Sequence, residues 1–517
     1  MTVYGKHTSN SERKCLNQAT FFARYGNLLC YFFSLLFYLW MAAQIPYTHD
    51  DWDWGLEIGL NQLFHATINS RYVGNAFVVL MTRSAFLKTL IMGSSFFLIP
   101  FFLACLACQK SQKLNNHHVI VFLFCNILLL TQKKSIMAQT YNWVSGFANF
   151  GISVLFLMIW IKAIIDFFDS DYAQKKLDVK KCILYSVFGI CGNLFLENIA
   201  LYTVMLGVVI CVWSIIRDRK VSSCVLSLTC GAIIGLCVMF SSSIYHSLFT
   251  VGTAVDGYRE VPLIGNNSVF EILIHVLSRI LVLGVRIYAD NFVLCIAILT
   301  ILTYLLYQSR RTFSGMCVAN IVILCMLIPC QIYDVICMEH SQLLYFYDFI
   351  VSIAFFAVVS IEVWILFRSE KLLMQRMYVV WLSAPAIIAP LIATTEIGHR
   401  LFLNSNVFLI LFFAMLLEQA MLFYSHQNMS VRLLRIGSLC IAILLLINGF
   451  MYGKIGACKR NRDAIMKEAV QTGEGIVILP SYPFEDYLCN PNPTQPIRIE
   501  YFKQFYDLPE EMTVIFR

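Results

Sequence analysis

Runs of apolar residues, each close to the length of a membrane crossing, recur along the chain from residue 29 to Tyr452. About 20 residues of helix cross the roughly 30 Å of bilayer hydrocarbon. In hydrocarbon only a segment that satisfies its own backbone groups is tolerated, which here means a helix. The runs fall near 29–46, 88–108, 118–132, 147–168, 181–196, 199–216, 223–241, 290–308, 315–335, 345–367, 376–394, 407–424 and 433–452. They raise the hydrophobic share to 59%, beyond the roughly 45–50% of a soluble domain. The expected fold is an all-α polytopic membrane protein of about 13 transmembrane helices. A polar head, Met1–Asn27, precedes the first run without a small-residue cleavage site, so that run is expected to stay as a span rather than leave as a signal peptide. Three parts are expected: a cytoplasmic segment 1–28, a transmembrane body 29–455 and an extracytoplasmic tail 456–517.

Charge orients the spans. Lys6, Arg13, Lys14 and Arg24 precede the first run, and alternate loops hold Lys110 and Lys113, then Lys175, Lys176, Lys180 and Lys181. The same alternation continues with Arg217, Arg219 and Lys220, with Arg310 and Arg311, with Arg368, Lys371 and Arg376, and with Arg432 and Arg435. Cytoplasmic loops are the basic ones, so the N-terminus is expected inside and the C-terminus outside; Lys133 and Lys134 are a local exception. The net charge of +7 belongs to these loops and is no sign of nucleic-acid binding. Most of the nineteen Cys, such as Cys105, Cys125, Cys211 and Cys325, sit in the runs, where a thiol serves as a small hydrophobe. Their spacing is not expected to build a structural zinc site. Cys458 and Cys489 lie in the tail, on the side where a disulfide is stable.

This orientation gathers the chemistry-bearing residues outside. The loop 47–87 packs Asp50, Asp51, Asp53 and Glu57 with Trp52, Trp54, His49, His65, Arg71 and Tyr72. Ionisable groups beside a bilayer are costly unless they serve a ligand, an ion or each other; the plainer alternative is a solvated loop with a Trp belt. Outside too are Asn142 and Trp143, the turn with Glu197 and Asn198, Arg259, and the loop with Glu396, His399 and Arg400. Asn75–Lys88 and Val269–Tyr288, apolar with spaced cations, are expected to lie in the interface; for 269–288 an additional span is the alternative. The tail reads as a strand 476–479, a Pro-rich turn region, an aromatic segment and a last strand 513–516, packed on the outer loops. It is therefore expected to be a small α/β unit.

A carboxylate at such a surface acts as a general base toward a sugar hydroxyl. Arg71, Arg259, Arg279 or Arg400 offers paired donors to a phosphate, and Trp52, Trp54, Tyr72 and Trp143 offer faces to sugar rings. Asp51 and Asp53 also form a DxD-like pair suited to Mg²⁺ or Mn²⁺.

In HDDWDWG (49–55), SRYVGN (70–75), YNWVSGFANF (141–150), LEN (196–198), EIGHR (396–400) and YFKQFYDLPEE (501–511), taken in order, the chain resembles the GT-C superfamily of integral membrane glycosyltransferases. The likeness is to a largely uncharacterised bacterial group of GT-C-like proteins. It implies an inverting transfer of a sugar from a polyprenyl-phosphate donor to an envelope glycan or lipid acceptor, on the outer face of a bacterial plasma membrane. It implies partners that synthesise and flip the donor. An acidic residue of the first outer loop is then the base, with Asp51 ahead of Asp50 and Asp53. Arg400 and Arg71 are implied for the donor phosphate, Glu197, Asn142 and Glu396 beside the acceptor or base, and no metal. The competing classes are a transporter or flippase of a lipid-linked glycan, which binds with the same groups, and a membrane O-acyltransferase using a His base such as His49, His65 or His246.

Overall fold

The computed structural model describes residues 10–66, 68–108, 116–168, 178–219, 221–253, 260–264, 267–309, 313–336, 342–423 and 427–517. It is almost wholly helical, and ten helices of the described residues are long and apolar enough to cross a membrane. Asn116–Leu130 and Gly315–Pro329 are shorter apolar helices. The chain is an all-α polytopic membrane protein. Each of the thirteen expected runs falls on a helix, but that at 181–196 is Val179–Gly192, only 14 residues long. Leu403–Phe423 is apolar all round and is therefore buried nearly end to end. Ala85–Ala107, Asn116–Leu130, Phe292–Ser309 and Lys371–Ala386 pack around it.

One segment departs from expectation. The expected interface helix at 75–88 is divided: Tyr72–Arg83 ends at Ser84, whose extended backbone starts a new helix, Ala85–Ala107, and whose Oγ accepts from Leu87 N. Lys88 consequently belongs to a long helix and is fully buried. Its Nζ donates to Ile45 O at 2.5 Å and stands 4.7 Å from the Tyr47 ring centre, so a backbone carbonyl and a ring face take the place of water around the amine. Val269–Tyr288 is a helix, as expected; it opens with a Ser268–Glu271 capping box and joins Phe292–Ser309 through one tight turn, Ala289–Asn291. Val269, Phe270, Leu273 and Leu277 are exposed along it, while Leu283, Val285, Ile287 and Tyr288 are buried. Two of its polar groups are held by backbone, His275 Nε2 by Ile392 O at 3.1 Å and Arg286 Nη1 by Ile397 O at 2.5 Å.

The last helix, Gln427–Thr472, runs unbroken for 46 residues, about 70 Å at 1.5 Å per residue. It is too long to end within a bilayer, and residue 455 lies inside it rather than at a break. Beyond it, strands Ile476–Leu479 and Thr513–Phe516 pair in parallel, Ile476 opposite Thr513, with the helix Pro496–Phe505 between them in sequence. Parallel strands need such a crossover. Val477, Leu479, Phe502, Leu508 and Met512 form a small core completed by Met466 and Ala469 of the long helix and by Trp52 of the Asp-rich loop. Cys458 and Cys489 are both free thiols.

Candidate functional site

The site is built at the bundle end where the first helix, Asn10–Gln44, gives way to the Asp-rich loop. His49 turns the chain with a left-handed φ of 56°. Two short helices follow, Asp51–Gly55 and Glu57–His65. Asp51 points inward and is fully buried. One carboxylate oxygen accepts from Ser145 N at 2.8 Å and Ser145 Oγ at 2.6 Å, the other from Thr48 N at 2.9 Å and Val144 N at 3.4 Å. These bonds pin the loop to residues 143–146. Asp51, the residue placed first as base from sequence, has no edge on the cavity described next. Its two neighbours do.

A cavity of about 630 Å³ opens beside it, lined by Asp50, Asp53, Arg71, Trp143, Arg400 and Arg498 among others. Trp143 Nε1 donates to Asp50 Oδ1 at 2.9 Å, and the other Asp50 oxygen has no hydrogen-bond partner among the described residues. The same indole supports Arg400, whose guanidinium carbon lies 5.4 Å from the Trp143 ring centre and 5.9 Å from that of Phe150. Gly146 makes this placement of Trp143 feasible, because a Cβ there would fall 2.3 Å from the indole. Phe147–Gly151 forms a π-helical turn, a widening that recurs at functional sites, and it carries Asn149 and Phe150 to the cavity wall. Gly74 lies against that turn; a Cβ there would meet Asn149 Oδ1 at 2.1 Å.

Charges around the cavity are partly balanced. Arg71 clasps Glu197 through Nη2 at 2.8 Å and Nε at 3.2 Å, and Tyr245 OH also donates to Glu197. Arg498 Nη1 donates to Asp53 Oδ1 at 2.9 Å. Arg400 makes no ion pair among the described residues. Burial, then the nearby Asp50 charge, pushes both Asp51 and Asp53 up to about 7, against the pull of Ser145 and Thr48 on the first and of Arg498 on the second. Burial is also the main cause that lowers His49, with Arg498 and Arg400 acting the same way against Asp50. A carboxyl that binds its proton more tightly when folded adds stability below its unfolded pKa and loses it as pH rises through the folded one. The contribution of Asp51 and Asp53 is thus present near pH 4 and gone above about pH 7. Thermal unfolding of the detergent-solubilised protein should show a midpoint that falls over this window, and Asp53→Asn should flatten part of the slope.

The remaining residues expected at the site are dispersed. Trp52 and Trp54 line the cavity while burying most of their rings in cores. Asn142 is fully buried between Tyr452 OH and Tyr487 O, at 2.7 and 2.9 Å, and joins the long helix to the tail. Glu197 reaches the cavity only through Arg71, and Asn198 holds Ile387 O at 3.2 Å. Tyr72 packs toward the Leu194–Tyr245 cluster, and His65 and Glu396 are exposed; none of the three lines the cavity. Arg259 lies outside the described residues. Proximity in sequence misleads here because successive helical residues point in different directions.

Sequence reading passed over one whole wall. Asn490, Asn492, Pro493, Thr494, Gln495 and Arg498 line the cavity from the tail, joined by Asn69 and Asn75. The amide-rich run CNPNPTQPIR (489–498) was its visible signal. Arg462, fully buried between the Tyr482 and Phe516 rings, holds Pro480 O and Asn492 Oδ1, each at 2.7 Å, and so fixes this wall.

The DxD-like pair is not assembled as a ligand set, since Asp51 is occupied by four donors and Asp53 by Arg498. Sequence reading also missed a paired-cysteine spacing, Cys105-x-x-Cys108. Cys105 Sγ lies 3.2 Å from His118 Nε2, and Cys108 Sγ lies 3.5 Å from Glu418 Oε2. Among the described residues no three His, Cys, Asp or Glu groups are arranged to hold a metal ion. Comparison with family models, with curated proteins and with solved structures yields no match to this chain.

Proposed function

We propose that the chain is an inverting glycosyltransferase of GT-C type, moving a sugar from a polyprenyl-phosphate donor to an envelope glycan or lipid at the outer face of a bacterial plasma membrane. One observation carries this reading: Asp50, with one oxygen uncommitted, and Arg400, unpaired among the described residues, share the same Trp143 in one cavity. Asp50 takes the proton of the acceptor hydroxyl as that oxygen attacks the anomeric carbon. The bond from that carbon to the phosphate oxygen breaks, the phosphate leaves with the electron pair, and Arg400 holds the resulting charge. One displacement inverts the centre. The volume suits a sugar phosphate, and amide and indole groups line the walls.

A second feature agrees with a lipid donor. An apolar cleft of about 300 Å³ lies between Val269–Tyr288, Gln342–Phe367 and residues 385–392. Arg286, near the end of the first of these helices, bonds Ile397 O, three residues before Arg400.

The test is mass spectrometry of envelope glycans in a strain deleted for the gene and complemented with wild type or Arg400→Gln. A sugar-sized increment with wild type, and a loss of it with Arg400→Gln at equal protein level, is the expected result. Losing a charge-assisted phosphate contact should raise the donor KM about 10- to 100-fold. Accumulated lipid-linked precursor with no change in glycan mass would replace transfer by transport.

A further inference from the structure

Trp143 is 6% exposed, and its indole is held from several sides. Its backbone carbonyl accepts from Phe147 N at 2.7 Å, which opens the turn leading into Phe147–Gly151. The next two residues, Val144 and Ser145, give their N–H groups to Asp51. Gly146 leaves room for the benzene ring of the indole, and the His49 ring stands 5.3 Å away, tilted by 56°. Held in this way, the side chain offers contacts in two directions. Its N–H lies in the ring plane and meets Asp50 Oδ1 at 2.9 Å. Its π face is perpendicular to that plane, and the Arg400 guanidinium carbon lies over it, 5.4 Å from the ring centre. Arg71 and Arg498 bond carboxylates in the same cavity wall, whereas Arg400 rests on the Trp143 and Phe150 rings.

We infer that Trp143 is the positioning residue of the site: its N–H sets the Asp50 carboxylate, and its ring face sets Arg400, so that base and phosphate cation are held in one frame. This inference rests on the glycosyl-transfer reading with Asp50 as base. Trp143 acts through these two neighbours and takes no part in bond making. Its N–H occupies one Asp50 oxygen and so restricts where the other, uncommitted oxygen points. A carboxylate held at one oxygen has lost the rotation that would otherwise spread the second over many directions. Reach and direction decide whether a base meets the proton it must take. The two contacts are separable by substitution, because a phenyl ring in place of the indole keeps a π face for Arg400 and lacks the N–H.

The experiment measures kcat and donor KM for the full chain in lipid nanodiscs, for wild type, Trp143→Phe, Asp50→Asn and the double variant. A lipid extract from membranes of the deletion strain is titrated as donor, and envelope glycan of the same strain is the acceptor. Trp143→Phe should lower kcat about 10- to 100-fold, the cost of a misplaced reacting group, and leave donor KM unchanged. In the Asp50→Asn background the same change should lower kcat no further, since no base is left to position. A purely structural role predicts the same loss in both backgrounds, and that result overturns the inference. So does an unchanged kcat or a raised KM for Trp143→Phe. Trp143→Leu removes the ring face as well and should also raise donor KM; an unchanged KM there overturns the part given to Arg400. If Trp143→Phe does not fold, replacement of Trp143 by benzothienylalanine, which keeps the indole shape without the N–H, decides on the same readouts. Should wild type show no transfer, or Asp50→Asn keep the wild-type rate, the glycosyl-transfer reading fails. Transfer that depends on Asp50 with kcat unmoved by Trp143→Phe fails the inference alone.

Discussion

Asp50→Asn should lower sugar transfer by about 10²- to 10⁴-fold, the range that a positioned general base contributes, while leaving the protein folded. The substituted amide keeps an oxygen for Trp143 Nε1, now held at 2.9 Å by the carboxylate, so the indole and the Arg400 resting on it stay in place. Only proton acceptance is removed. Donor binding, which falls to Arg400, should change little. The measurement is a rate and a donor KM on purified wild type and variant at matched folded content. Asp53→Asn is the control, since its amide oxygen still accepts from Arg498; its effect should be the smaller of the two. Equal rates for wild type and Asp50→Asn would remove Asp50 from the mechanism and with it the proposed chemistry.

Asp51→Ala should have the largest effect on stability. The carboxylate is fully buried and accepts from three backbone N–H groups and the Ser145 hydroxyl. Without it these four donors stay buried without an acceptor, at about 1–3 kcal/mol each, so the total loss is at least about 4 kcal/mol. That is a large fraction of the margin by which a protein is stable. Asp51 supplies most of the hydrogen bonds between the first loop and residues 143–146, the Trp143–Asp50 bond being the other, so both walls of the cavity should loosen together. A fall in thermal midpoint, with faster proteolysis in the first loop than in Asp50→Asn, is the expected readout. A midpoint matching wild type would show that the loop is held by other contacts, the Arg83 bonds to Trp54 O and Leu56 O being the next in line.

The two predictions separate neighbouring residues that sequence reading treats as near equivalents. Asp50, Asp51 and Asp53 lie within four positions, interleaved with Trp52 and followed by Trp54. One faces the cavity with an oxygen uncommitted, one is consumed by backbone donors and one is paired with an arginine 445 residues away. Residue type marks where charge gathers; it carries no statement of which way a side chain leaves a short helix. Asn142 and Trp143 diverge for the same reason, the first turned into the bundle and the second into the cavity.

Hydropathy by itself determined that the chain is helical and suited to membrane crossing, because each run must satisfy its backbone locally and needs no distant partner to do so. It also located both tail strands, whose β-branched and aromatic residues stand between turn signals. The division at Ser84, the burial of Lys88 and the tail wall of the cavity were decided only by tertiary structure. Each depends on contacts between residues far apart in the chain, Lys88 with Ile45, Arg498 with Asp53 and Arg462 with Asn492. A buried polar or charged group is tolerable only where such a partner arrives, and the arrival of that partner is a property of the packed molecule.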